Sequence, residues 1–203
     1  MGLLRRMFGP SRDEIWNQLS DDVGGTFVES TWRKSSRVEA THGEWTVTLD
    51  SYTVSTGKTT HVFTRMRAPY VNPDGFRFTI YRRNMFSDIR KWFGMQDIEI
   101  GDEPFDADFI VKATDESRVR QLLSDPRLRE LLMAQPSIHF EVRDDEGWFG
   151  AKYPEGVDVL AFIVSGVIRD VDRLKAIFEL FSVTLNELCE MGSAYERDPG
   201  VKV

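Results

Sequence analysis

The sequence predicts an α+β fold: antiparallel sheets in two sequential halves, helices packed on one face, and a long C-terminal helix. Three observations carry this. First, Trp45, Val47 and Leu49 alternate with Thr46 and Thr48, the period of a half-buried strand, and similar segments recur along the chain. Second, these segments are joined by short turn signals, so neighbours in sequence should pair as a meander. Third, Val171, Leu174, Phe178, Phe181, Leu185 and Leu188 follow one another at spacings of 3, 4, 3, 4 and 3, the stripe of an amphipathic helix.

The elements follow in order. Ser11 and Glu14 form a capping box ahead of Ile15, Trp16, Leu19 and Val23, and Gly24-Gly25 ends that helix. "TFVESTW" reads as a strand, and "SRVEATHGEWTVTLDSYTV" as two strands turning at His42-Gly43. "STGK" is a turn. "TTHVFTRMRAPYV" and "GFRFTIYRR" are further strands joined by "NPDG", a strong turn signal. "MFSDIRKWFG" reads as a short helix. "DFIVKA" is a strand, and Asp115 and Asp125-Pro126 open two helices. "SIHFEVRDDEGWFGAKY" reads as a hairpin turning within residues 144 to 147, and "VDVLAFIVSGVI" as an apolar strand before the last helix. The expected organisation is a tail at 1–10, a helix and meander half at 11–96, a β-α-β-β-β-α half at 97–194 packed against it, and a flexible tail at 195–203.

Composition narrows the function classes. The 203 residues are 41% hydrophobic and 29% charged, a balance that can bury a sizeable core. The net charge of −7 and sequence pI near 5.1 disfavour a general nucleic-acid role. Cys189 is the single cysteine, so no internal disulfide forms, and a reducing, cytoplasmic setting is expected. No apolar run is long enough for a transmembrane helix. At the N-terminus, Leu3, Leu4, Met7 and Phe8 beside Arg5 and Arg6 can touch a membrane surface weakly; a loose or docked terminus is the plainer reading.

Asp97, Glu99, Asp102, Glu103, Asp106 and Asp108 fall within twelve residues. Oxygen ligands at this density suit calcium or magnesium, with Asp102 and Asp106 as candidate metal ligands, but the spacing is not that of a calcium loop. The structural alternative is a corner: Gly101 permits a turn, Pro104 stiffens it, Phe105 and Phe109 anchor it, and Asp106 accepts backbone N–H bonds. The pattern G-D-x-x-F-D-x-x-F, made here by Gly101, Asp102, Phe105, Asp106 and Phe109 and followed by a strand and "RQLLSDPRLRELL", resembles a group of uncharacterised bacterial proteins of unknown function. That resemblance implies a bacterial, non-secreted protein and carries over no reaction.

Residues 58 to 91 hold eight cations, Lys58, Arg65, Arg67, Arg77, Arg82, Arg83, Arg90 and Lys91, against Asp74 and Asp88. If the strands either side of "NPDG" pair, Arg65, Arg67 and Arg77 form a patch with Tyr81, and with Arg82 nearby they are candidate ligand-binding residues. Arginine forks bind carboxylate or phosphate bidentately. The competing reading is internal pairing with the acidic stretch. Trp45, Phe76, Phe78, Trp148, Phe149 and Phe162 are candidates to line a cavity or to fill the core.

No nucleophile elbow, phosphate loop or dinucleotide fingerprint is present, and the three histidines are scattered; His139 alternates with Ile138 and Phe140, so it should point away from the face they bury. The favoured reading is therefore a non-enzymatic binding or interaction domain for a protein partner or a small anionic or amphipathic ligand, with no cofactor. Two alternatives stand beside it: a metal-dependent enzyme or hydrolase centred on Asp102 and Asp106, and a homodimer joined through Leu174, Phe178, Phe181 and Leu185.

Overall fold

The computed structural model describes residues 9–32, 35–84, 97–144, 153–201 and 203. The expected helix at 85–94, the second arm of the 137–153 hairpin, the N-terminal apolar residues, and Arg90, Lys91, Trp148 and Phe149 lie outside the described residues.

The described chain builds one sheet of eight strands with five helices. Helix α1 (Arg12–Asp22) leads into β1 (Thr26–Val28), β2 (Arg37–His42), β3 (Trp45–Ser55) and β4 (Thr60–Val71). Then come β5 (Phe78–Arg82), α2 (Glu103–Asp108), β6 (Phe109–Ala113), α3 (Glu116–Leu122), α4 (Pro126–Met133), β7 (His139–Arg143), β8 (Val157–Ser165) and α5 (Val171–Glu190). The spatial order is β1-β2-β3-β4-β8-β7-β5-β6, and every paired neighbour runs antiparallel.

The meander holds through β4 and then stops. The expected pairing of residues 60–71 with the strand after "NPDG" does not form; β4 pairs with β8 over eight residues, Thr64 to Val71 against Val164 to Val157. The cause is composition. Val157, Val159, Leu160, Ala161, Phe162 and Val164 are buried and point to both faces, so β8 belongs at the centre of the sheet. With β8 and its partner β7 there, two strands stand between β4 and β5, and β5 lies between β7 and β6. The sheet thereby joins the two chain segments: β4 pairs with a strand from beyond residue 97, and β5 is flanked by two such strands.

The helices cover one face. Leu49, Met66, Leu160, Phe162, Phe140, Ile80 and Val111 lie there by register and pack in one core with Leu174, Phe178, Phe181 and Leu185 of α5. Each such side chain contributes about 1.5–3 kcal/mol of burial. The four α5 residues considered for a homodimer are thus consumed by the chain's own core, which leaves almost none of their surface for a second copy. Local signals set the helix starts. Ser11 and Glu14 close the capping box. Asp102, Asp115, Asp125 and Asp170 each accept the backbone N–H three residues on.

Candidate functional site

The acidic stretch forms the corner. Both oxygens of Asp106 accept backbone N–H groups, from Ile100 and Gly101, each at 2.9 Å. Gly101 sits at φ +87°, where a side chain would be strained. Asp102 caps α2 and lies 3.1 Å from Arg129. Phe105 and Phe109 stack with centroids 4.5 Å apart. Among the described residues no three His, Cys, Asp or Glu side chains converge to hold a metal ion. The turn of helix at 103–108 is a feature the sequence reading did not contain; Asp102 as cap and Pro104 in the first turn account for it.

The basic stripe is divided among three places, because β8 and β7 stand between β4 and β5. Arg82 lies over the Phe109 ring at 4.7 Å and donates to the Met133 and Gln135 carbonyls at the end of α4, with Asp108 at 2.7 Å. Arg77 grips Asp158 through Nε and Nη2 at 2.9 and 3.1 Å, with Asp144 on Nη1. Asn72 Nδ2 adds a third bond to Asp158 at 2.7 Å. Arg65 and Arg67 both bind Asp50, Arg65 bidentately at 2.9 and 2.7 Å and Arg67 at 2.8 Å. The patch expected from Arg65, Arg67, Arg77 and Tyr81 is therefore not one surface.

Arg65, Arg67 and Asp50 lie on the sheet face opposite the helices. Register places a second charged group beside them. Arg67 is level with Ala161, which is level with Glu141 and then Thr79; Arg65 is level with Ile163, His139 and Tyr81. His139, Glu141 and Arg143 alternate along β7, so all three project to this face while Phe140 and Val142 enter the core. Glu141 is 6% exposed and stands between two cationic side chains: its Oε2 is 3.2 Å from His139 Nε2 and its Oε1 3.2 Å from Arg143 Nη1. Burial pushes the Tyr52 phenol up, and Arg65, Arg143, Asp50 and Glu141 all act on it, so the two charged groups share one electrostatic neighbourhood.

Among the described residues, Thr79 Oγ1, His139 Nε2 and Arg143 Nε in this group are buried and have no hydrogen-bond partner. His139 Nε2 is within ion-pair distance of Glu141 but not aligned for a hydrogen bond. Thr79 is fully buried, whereas the His139 and Arg143 side chains keep 24% and 22% exposure, an opening to solvent. Tyr70 Oη and Trp45 Nε1 are also unpartnered, but each is a single atom on the helix-covered face. A buried donor without a partner costs about 1–3 kcal/mol, so three flanking one carboxylate need a reason.

Sequence reasoning named Arg65 and Arg67 and expected His139 to face away from Ile138 and Phe140. It missed Asp50, Thr79, Glu141 and Arg143. The alternation in "HFEVR" was the available signal. The chain matches no protein-family model, no curated protein and no solved structure.

Proposed function

We propose that this chain is a binding domain for a small anionic ligand, held on the sheet face opposite the helices by Arg143, His139 and Thr79. The observation that supports the reading is the clustering of three unpartnered buried polar atoms around Glu141. Each can donate: the Arg143 Nε–H, the Thr79 hydroxyl, and the His139 Nε2 when it carries a proton. An oxyanion accepts from all three. In this group Arg65, Arg67 and Arg143 stand against Asp50 and Glu141, a surplus of positive charge that favours an anion. Asp50 keeps Arg65 and Arg67 aligned, and their guanidiniums supply charge rather than first contacts.

Calorimetric titration of the full chain with sulfate tests the reading. The expected result is saturable binding that Arg143→Gln abolishes, while the variant keeps a cooperative melt. Absence of binding by the natural chain, or equal binding by Arg143→Gln, overturns it.

A further inference from the structure

The position of Glu141 between an arginine and a histidine has a consequence for how an anion is held. With the His139 ring neutral and its proton on Nδ1, the Nε2 lone pair faces a carboxylate oxygen at 3.2 Å, an unfavourable contact. With Nε2 protonated and the ring charged, Glu141 divides its charge between two cations, and less of it compensates Arg143. The remaining groups facing His139 among the described residues do not take over this part. Tyr81 presents a ring 6.3 Å away on β5. Ile163 on β8 is apolar, and Arg65 beyond it is bound to Asp50. Tyr52, on β3, lies among Arg65, Arg143, Asp50 and Glu141.

We propose that the site takes up its anion together with a proton on His139, so that anion affinity rises as pH falls. This rests on the anion-binding reading above. Histidine is the side chain that ordinarily changes charge between pH 5 and 8, and an added positive charge beside a bound oxyanion strengthens its hold.

Sulfate is the probe, because its own charge is constant over this range. Its affinity should fall about tenfold between pH 5.5 and 7.5, an average of about half a proton taken up per anion bound over that range. His139→Gln should show one affinity at both pH values, below that of the natural chain at pH 5.5. In the natural chain, the imidazole resonances of His139, followed by NMR, should titrate at higher pH when sulfate is present. Sulfate binding with a flat pH profile, or an unchanged imidazole titration, overturns proton coupling and leaves the anion site standing. No binding at any pH overturns both.

Discussion

Two charged groups of similar burial lie near one another at the start of β5, and one is closed where the other is open. At the 72–77 turn every carboxylate oxygen is used. Asp158 accepts from Asn72 and twice from Arg77, while Asp74 accepts from Phe76 N and Ser193 Oγ and lies 2.6 Å from Arg118. Around Glu141, Thr79 Oγ1, His139 Nε2 and Arg143 Nε are left without hydrogen-bond partners among the described residues. A completed network holds a chain crossing in place, here the passage from β4 to β5. An incomplete one holds donors ready, which is what a binding site requires. The lesson is that buried charge alone marks neither; the count of satisfied atoms separates them.

The contrast can be broken most forcefully at the closed group. Asp158→Ala strands Arg77 and Asn72 and should lower stability by about 3 kcal/mol, read from urea unfolding, with sulfate affinity of the folded protein unchanged. A loss of less than about 1 kcal/mol would mean that the turn does not depend on this lock. Asp106→Ala removes the acceptor of two backbone N–H groups at the 97–108 corner and should cost about 2 kcal/mol. Magnesium or calcium should leave its melt and that of the natural chain unmoved; a metal-dependent rise lost in the variant would restore the metal reading.

At the open group the sign reverses. Thr79→Val has nearly the same shape and deletes an unpartnered hydroxyl, so it should raise stability by about 1 kcal/mol while weakening sulfate binding. Lower stability would place Thr79 among the structural residues.

The smallest effect lies at α1. Burial acts to raise the Asp13 carboxyl, but bonds from Ser36 and Arg12 and the Arg12 charge outweigh it and hold it below 3.8. A carboxyl depressed in the folded state adds stability that is present above its unfolded value and lost as pH falls through the folded one. Acid titration of stability below about pH 4 should therefore be shallower in Asp13→Asn.

Much of this architecture was legible because its causes are local. The capping box at Ser11, the aspartate caps, the Asp106 turn and the stripe of α5 each depend on residues within a few positions of one another. The order of strands was not, because β8 joins β4 across the 85 residues from 72 to 156 and nothing in "NPDG" announces that β5 will leave. The site inherits that blindness. Arg65, Glu141 and Thr79 come from three separated segments, and only the register across β4, β8, β7 and β5 sets them on one face. His139 was read correctly as turned from the core; its partners required the sheet.

The most direct test of the account is an NMR titration of the isotope-labelled chain with sulfate. The expected result is saturable shifts at the backbone amides of Thr79 and of residues 139 to 143, with Asn72, Arg77, Arg118 and Asp158 unmoved. Shifts that grow without saturation, or that appear equally at the 72–77 lock, would contradict it.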